Sequence, residues 1–199
     1  MRIKLPHIPY IANKMMLDIA NSSFVEIKDQ LEKLKVCIIE VLEKDILNER
    51  KLDERVKELL EQQEDEMELM QVDRKNMFWL VKKKLAPEFN VILDSEDRHN
   101  HLAHQILEEL VENDYINFIV SENRVKNLIF SSIESYLKIY EKLEDEVYEK
   151  ISNYKTKPIP GSEEYDLIFE KLYQEELRKK RYVLMKAYIY LENDIFFKC

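Results

Sequence analysis

The sequence predicts a mainly all-α fold built from two tandem helical repeats of about 90 residues, related by internal pseudo-symmetry. Three observations predict this fold. The 199 residues include one glycine and five prolines, too few for the tight turns of an all-β protein. Apolar residues recur at spacings of three and four along most of the chain, which is the period of an amphipathic helix. The second half also repeats the first half in one ungapped register.

The repeat is clearest in the stretch that begins at Lys142, which resembles the stretch that begins at Lys51. Since 142 minus 51 is 91, each residue of the first half corresponds to the residue 91 positions later. The matching residues are Lys51, Leu52, Val56, Leu60, Asp73, Met77 and Phe78 in the first stretch, and Lys142, Leu143, Val147, Ile151, Glu164, Ile168 and Phe169 in the second. We therefore predict a first repeat over residues 1–90, a second over residues 91–181, and an apolar C-terminal tail over residues 182–199.

In the first repeat, the spacing of apolar residues predicts a helix over Ile8–Ala20. The alternation of apolar and polar residues at Val25–Ile27 allows a short strand. A second helix is predicted to begin at Asp29–Glu32, because these residues resemble a capping box in which the Asp and Glu side chains bond to free backbone N–H groups. The second repeat carries the same pattern, so it should contain a helix that includes Leu102 and a short strand at Ile116–Phe118.

The two repeats differ at Lys157–Ser162, where the second repeat has the sequence Lys-Pro-Ile-Pro-Gly-Ser. Two prolines, a glycine that tolerates positive φ and a serine that can cap a helix predict a sharp turn there. The corresponding segment of the first repeat, Glu66–Gln71, consists of strong helix formers. We therefore predict one long or gently bent helix from about Lys51 to Leu85.

The composition argues against several classes of protein. A formal net charge of -9 disfavours bulk electrostatic attraction to nucleic acid or anionic lipid. No stretch reaches the roughly 18 apolar residues of a spanning helix, and the first residues contain no apolar signal region, so no membrane span or signal peptide is expected. Two cysteines make no disulfide framework, which favours the cytoplasm. The single glycine, Gly161, excludes glycine-rich phosphate-binding loops.

The histidines of the second repeat are candidate metal ligands. Glu96, His99, His101 and His104 lie near the start of a predicted helix, and a glutamate three residues before a histidine is the spacing of carboxylate-bridged metal sites. A dinuclear site of that kind needs a second such motif, which the corresponding segment Leu5–Ile8 lacks. We therefore favour a solvated polar helix start, with His104 at the edge of the core, and predict no metal or other cofactor.

No catalytic residue is predicted. Cys37 lies among apolar residues, where burial raises the pKa of a thiol and makes it unreactive, so we assign it to the core. The absence of a recognisable catalytic constellation favours a non-enzymatic protein.

Two basic clusters lie at the ends of predicted helices. Cations at this position stabilise the negative end of the helix dipole, which is the interpretation we favour. The alternative is a pair of equivalent basic edges that bind RNA or DNA phosphates. The clusters consist of Lys82, Lys83 and Lys84 in the first repeat, and Arg178, Lys179, Lys180 and Arg181 in the second.

Aromatic residues are the remaining candidates for a binding surface. Tyr165 and Tyr173 belong to the aromatic-rich second repeat, and Trp79 aligns with Glu170, so the repeats differ at that position. We favour packing in the core for most of these residues. Exposed members would instead anchor a protein partner, because aromatic side chains dominate interface energetics.

Several segments make the chain similar to a known family. They are LPHIPYI at the start, VDRKNMFWLVKKKLA, EDR followed by LAHQIL, SENRVKNLIFSSI, and YEKISNYKTKPIPGSEEY. With these segments, residues 1–181 resemble the uncharacterised bacterial family called domain of unknown function 507, in its tandem-repeat form. The resemblance implies the helical architecture, and it implies no activity or site residue.

These observations lead to three hypotheses about function. We favour a cytoplasmic helical protein that acts as a non-enzymatic protein-protein interaction or adaptor module. The alternative is a nucleic-acid-binding or ribosome-associated factor that uses the basic helix ends. The third hypothesis is a metal-dependent enzyme that uses the region of His99.

Overall fold

The computed structural model describes residues 3–154, 158–162, 164–176 and 178–179, and it confirms a mostly helical fold with one small two-stranded sheet. The chain divides into two compact units, Met1–Glu134 and Ser135–Cys199. The repeats over residues 1–90 and 91–181 stay a prediction. The predicted apolar tail over residues 182–199 lies outside the described residues.

The N-terminal unit begins with a 3-10 turn at Leu5–His7 and helix α1 (Ile8–Ala20). Strand β1 (Val25–Ile27) and the 31-residue helix α2 (Leu31–Glu61) follow. A proline in the first turn suits the start of α1, because the N–H group that it lacks would have no partner within the helix. α1 packs on α2, and both helices bury the apolar stripe that the sequence predicts.

The chain reverses direction after α2, so the predicted continuous helix from about Lys51 to Leu85 is wrong. α2 ends at Glu61, and the chain then forms the short helix α3 (Glu64–Leu69) and the helix α4 (Arg74–Leu85). α4 packs back on α2. The first half of the chain therefore contains a helical hairpin where a straight helix was expected.

Local backbone geometry and apolar burial together explain this reversal. Gln71 adopts a φ of 52°, its N–H donates to the carbonyl of Glu68, and the N–H of Val72 donates to the carbonyl of Met67. These two hydrogen bonds form a Schellman motif, which closes the end of α3. The Asp73 side chain then caps α4 by accepting a hydrogen bond from the backbone two residues further on. The hairpin encloses a cluster of buried residues: Leu52, Val56, Leu60, Met67, Ala86 and Val91.

The rest of this unit returns to α2. A 3-10 turn at Ala86–Phe89 leads to helix α5 (Ser95–Glu112), which also packs on α2. Asp94 caps α5, because its carboxylate accepts hydrogen bonds of 3.0 Å from two N–H groups of the first turn. Strand β2 (Ile116–Phe118) follows, and then the 31-residue helix α6 (Glu122–Ser152), whose residues from 135 onward belong to the C-terminal unit.

The two short strands occur where the sequence predicts them, and they pair with each other. β1 and β2 are antiparallel, with Glu26 opposite Asn117 in the centre. Since 117 minus 26 is 91, this central pair joins residues separated by the offset found in the sequence. An ion pair of 2.5 Å between Lys28 and Asp114 extends the contact beyond the strands.

The C-terminal unit contains the predicted Pro-Ile-Pro-Gly-Ser turn and helix α7 (residues 164–176). Gly161 has a φ of 83°, a conformation that glycine adopts without strain. The hydroxyl of Ser162 accepts a hydrogen bond of 3.2 Å from the N–H of Tyr165, so Ser162 caps α7 as predicted.

Candidate functional site

Three acidic residues of α2 form one side of a buried ionic cluster. Asp45, Glu49 and Asp53 follow each other at intervals of four, which places them on one face of the helix. The Nζ atom of Lys82, on α4, lies 3.1 Å from Glu49 and 2.6 Å from Asp53. The guanidinium of Arg98, on α5, lies 2.6 Å from Glu49 and 2.7 Å from Asp45. Glu49 therefore contacts both cations and joins α4 and α5 to α2.

Burial strengthens the electrostatic interactions of this cluster, because little water screens them. The side chain of Lys82 is 1% exposed, and those of Arg98 and Glu49 are 11% and 14% exposed. Burial opposes ionisation of Glu49, but Arg98 and Lys82 outweigh it and hold the pKa of this carboxyl below its usual value. Burial also opposes the charge of Arg98, but Asp45 and Glu49 outweigh it and raise its pKa. The cluster therefore joins helices and is not suited to exchange protons.

The outside of α4 has a mixed apolar and basic character. Trp79 is 45% exposed and Leu80 is 65% exposed, although both are large apolar residues. Lys83 and Lys84 are also exposed. Helical spacing places these four residues on the same side of α4, opposite the side that packs on α2. We call Trp79, Leu80, Lys83 and Lys84 the α4 outer face.

The indole ring of Trp79 contacts Lys82 and Phe78. The Nζ atom of Lys82 lies 5.5 Å from the centroid of the ring, within the range of a cation–π interaction. The ring of Phe78 meets the indole edge to face, with an interplanar angle of 90° and a centroid separation of 6.1 Å. A buried cation therefore orients a tryptophan that remains nearly half accessible to solvent.

One residue of the predicted basic clusters does not lie on the surface. Lys82 is buried, because it forms ion pairs with two carboxylates of α2, and it is therefore removed from the predicted basic edge. The exposed members within the described residues are Lys83, Lys84, Arg178 and Lys179, whereas Lys180 and Arg181 lie outside the described residues.

The candidate metal ligands are not brought together. His99 is buried, and its Nδ1 atom lies 2.7 Å from Oε1 of Glu134, so it faces the core rather than the solvated helix start that we expected. Glu96, His101 and His104 are exposed, including His104, which was expected at the edge of the core. In the part of the chain that the structure describes, no group of three or more His, Cys, Asp or Glu side chains is arranged to hold a metal ion.

A small cavity lies beside the ionic cluster in the N-terminal unit. Its volume is about 20 Å³, and Ser95, Arg98 and His99 contribute to its lining. A cavity of this size holds one water molecule, so it is too small for an organic ligand.

The predicted aromatic candidates of the C-terminal unit are partly buried. Tyr165 and Tyr173 both lie on α7. The ring of Tyr173 stacks on Phe169 with centroids 5.9 Å apart, and Phe169 contacts Tyr148 at 5.1 Å. Burial, together with the charge of Glu144, raises the pKa of Tyr173 to about 12. Tyr173 therefore packs in an aromatic group of the C-terminal unit.

Cys37 is buried on α2, as the sequence predicts. Burial and the charges of Glu109 and Glu40 raise the pKa of its thiol to about 11. At neutral pH this thiol is protonated and therefore a poor nucleophile.

Sequence reasoning missed Leu80 and the ionic cluster. Leu80 resembles any other apolar residue of an amphipathic helix, and only its exposure distinguishes it. The intervals of four between Asp45, Glu49 and Asp53 were a visible signal, because three acids on one helical face call for buried cations if that face packs. The identity of those cations depends on tertiary contacts, which the local sequence does not encode.

Two comparisons with known proteins, together with one property of the helices, bear on the identity of the chain. Within the described residues, no helix is long and apolar enough to cross a membrane. A search of curated proteins finds no match to the chain. A family model with the description "Protein of unknown function (DUF507)" matches residues 1–181, and the chain therefore belongs to this family.

Proposed function

We propose that this protein is a non-enzymatic protein-protein interaction module that binds its partner through the α4 outer face. The main observation behind this proposal is that Trp79 and Leu80 are exposed on α4, whose opposite side packs on α2. Tryptophan is enriched among the residues that dominate binding energy, and an apolar centre with a charged rim is the usual anatomy of an interface.

The proposal includes an origin of the two halves by tandem duplication with approximate internal symmetry. Two features support it. α2 and α6 are both 31 residues long, and 122 minus 31 is 91. The antiparallel pairing of β1 with β2 places Glu26 opposite Asn117, its counterpart at the same offset, as a local two-fold axis requires.

If the halves arose by duplication, they differ in the character of the residues on the α4 outer face and at the corresponding positions of α7. The residues 91 positions after Trp79 and Leu80 are Glu170 and Lys171, both exposed and both charged. A charged outer face is what a solvated helix needs, and α7 has it at these positions. α4 instead has an exposed apolar pair at these positions, and this difference supports a role in binding.

The ionisation of two potentially catalytic side chains, Glu49 and Cys37, supports a non-enzymatic role. The carboxyl of Glu49 has a lowered pKa and is held by two cations, and the thiol of Cys37 is buried with a raised pKa. We also propose a cytoplasmic location in a bacterial cell, because the two cysteines offer no disulfide framework.

A photoreactive amino acid placed at Leu80 tests the proposal. We expect it to form covalent adducts with another protein when the full-length chain is irradiated in cells of its source. The matched control is the same amino acid at Leu167, which is 73% exposed on α7. Adducts that form equally at both positions, or at neither, would contradict a specific interface on α4.

The same experiment examines the nucleic-acid alternative. Lys83, Lys84, Arg178 and Lys179 are exposed near the ends of α4 and α7, which is the observation that favours it. Adducts at Leu80 that contain RNA and disappear after nuclease treatment would replace the protein-binding proposal with that alternative. A dependence of the adducts on metal, tested with a chelator, would favour the metal-dependent hypothesis.

A further inference from the structure

We infer that the α4 outer face recognises an acidic amphipathic segment of a partner protein, with a large apolar side chain that packs on Trp79 and Leu80. This inference rests on the proposed function, because it specifies the chemistry of the partner that the same face binds. Three features of this face support such a partner: the charge around the apolar pair, the orientation of the indole ring and the chemistry of Leu80.

The charge of α4 is opposite in sign to that of the whole protein. The chain has a formal net charge of -9, whereas α4 contains five cations and no acidic residue between Arg74 and Leu85. Two of these cations are already neutralised, since Lys82 pairs with the acids of α2 and Arg74 pairs with Glu64. Lys75, Lys83 and Lys84 remain as exposed cations beside the apolar pair. Complementarity therefore calls for a partner with carboxylates around an apolar centre.

The apolar pair is organised for binding before the partner arrives. The contacts of Trp79 with Lys82 and Phe78 fix the indole ring, so little side-chain freedom is lost on association. Fixing an interface side chain in advance raises affinity, because less ordering entropy opposes binding. An exposed tryptophan held in this way is suited to anchor one bulky side chain of a partner.

Leu80 favours a protein segment over a nucleic acid. It is more exposed than Trp79, and an aliphatic side chain offers no flat surface on which a base can stack. It does match the apolar stripe of an amphipathic helix, in which large residues recur at intervals of three and four. The pair formed by Trp79 and Leu80 thus fits an apolar stripe better than a sugar-phosphate chain.

The test uses the fluorescence of Trp79, which is the single tryptophan of the chain and therefore reports on this face alone. The probe is a synthetic amphipathic peptide with leucines at every third and fourth position and glutamates elsewhere. We expect it to shift the emission of the full-length protein to shorter wavelength and to protect Trp79 from acrylamide quenching. Added salt should weaken this binding, because screened charges contribute less.

Two further peptides separate charge from apolar contact. One carries lysines in place of the glutamates, and the other carries serines in place of the leucines. We expect each to bind at least about tenfold more weakly than the acidic amphipathic peptide, since it lacks one of the two components of recognition. Equal binding of the acidic and basic peptides would overturn the inference, as would the absence of any response to the acidic peptide.

Matched substitutions assign the binding to the α4 outer face. Leu80→Ser and the pair Lys83→Glu with Lys84→Glu should each weaken binding of the acidic peptide about tenfold. These side chains are exposed, so the folded structure should survive, and circular dichroism would verify that. The controls are Leu167→Ser and the pair Lys138→Glu with Lys171→Glu, which change exposed residues elsewhere and should leave binding unchanged. Equal losses in the test and control variants would overturn the inference.

Failure of the inference and failure of the proposed function give different results. Protein adducts at Leu80 in cells, combined with no preference for the acidic peptide, would leave the proposed interface standing and remove its acidic partner. A single-stranded RNA oligonucleotide that quenches Trp79 at low salt, while the acidic peptide does not, would overturn both.

Discussion

At the scale of single residues, three helical segments of the described chain end at a residue other than glycine with positive φ. Gln71, Asn90 and Asp114 have φ values of 52°, 54° and 57°, and each lies at the end of a helical segment. In each case the N–H of the following residue donates to a carbonyl five residues earlier. Asparagine and aspartate tolerate this left-handed conformation because their short polar side chains bond locally. Glutamine has no such advantage, so Gln71 is the most strained of the three.

We predict that Gln71→Gly stabilises the protein by about 0.5–1 kcal/mol, because relief of the left-handed strain exceeds the extra entropy of glycine in the unfolded chain. Urea unfolding, monitored by the fluorescence of Trp79, would measure this change in the free energy of unfolding. Asn90→Gly is the control and should give a smaller gain. A loss of stability for Gln71→Gly would show that its side chain contributes more than the backbone conformation costs.

Lys82 is the residue on which the ionic cluster most depends. We predict that Lys82→Met destabilises the N-terminal unit by about 3 kcal/mol, because Asp53 and part of the charge of Glu49 would lie in the core without compensation. The side chain of Asp53 is 33% exposed, so water limits the loss. Lys83→Met, next to it but exposed, should change stability by less than about 0.5 kcal/mol. Chemical denaturation followed by circular dichroism would distinguish them.

At the scale of elements, the parts that the sequence predicts are those with a local pattern. The period of three and four gives α1 and α2, the alternation at Val25–Ile27 gives β1, and Ser162 gives the start of α7. The break between α2 and α4 escaped prediction because Glu66–Gln71 are helix formers, while burial of Met67 with Leu60 and Val91 favours a hairpin. Tertiary burial outweighs helix propensity there, since propensities differ by less than about 1 kcal/mol per residue.

In the candidate site, too, the residues marked by a local sequence pattern could be predicted, and those that depend on tertiary packing could not. Trp79 could be selected from the sequence, because it is the single tryptophan and aligns with a charged residue, Glu170, in the other half. Lys82 could not be separated from Lys83 and Lys84, since a run of three lysines at a helix end has one obvious role, the stabilisation of the helix dipole. Which lysine points inward depends on how α4 packs on α2.

At the scale of the whole molecule, the two units bury different chemistry at matching positions. The residues 91 positions after Asp45, Glu49, Asp53 and Lys82 are Tyr136, Tyr140, Glu144 and Tyr173. The first set forms the ionic cluster of the N-terminal unit. In the second set, burial raises the pKa values of Tyr136, Tyr140 and Tyr173. At these positions the N-terminal unit thus depends on charged groups, and the C-terminal unit on three tyrosines that must stay neutral.

We predict that acid destabilises the N-terminal unit first. Burial, with the charge of Lys4, lowers the pKa of His7 from 6.5 to about 4, so the unfolded chain binds a proton there that the folded protein resists. Stability from His7 is present above pH 6.5 and is lost as the pH falls towards 4. Glu49 adds a further loss below its ordinary value of 4.5, as the pH falls through its lowered pKa.

We predict that the buried tyrosines make the C-terminal unit sensitive to alkali, and that the raised pKa of Cys37 makes the N-terminal unit sensitive as well. The pKa of Tyr173 is raised from 10.0 to about 12, so its contribution is present below pH 10 and is lost as the pH rises towards 12. Pulsed hydrogen exchange with mass spectrometry, at acid and alkaline pH, would show which unit loses protection at each extreme of pH. Full protection of the C-terminal unit at pH 12 would contradict the alkaline prediction. Loss of protection in the C-terminal unit before the N-terminal unit at acid pH would contradict the acid prediction, and His7→Gln should reduce the early loss of stability there.

The pairing of β1 with β2 also bears on how the chain acquires its fold during synthesis. Strand β1 is made early, but its partner is complete only when residue 118 has been added. Contacts between residues this distant in sequence form slowly, because loop closure precedes any gain from pairing. The contacts between α2 and α4 join residues that are closer in sequence, so this hairpin can form before β1 has a partner strand. A nascent chain therefore carries an unpaired strand edge for the time needed to add 91 residues, the distance from Glu26 to Asn117.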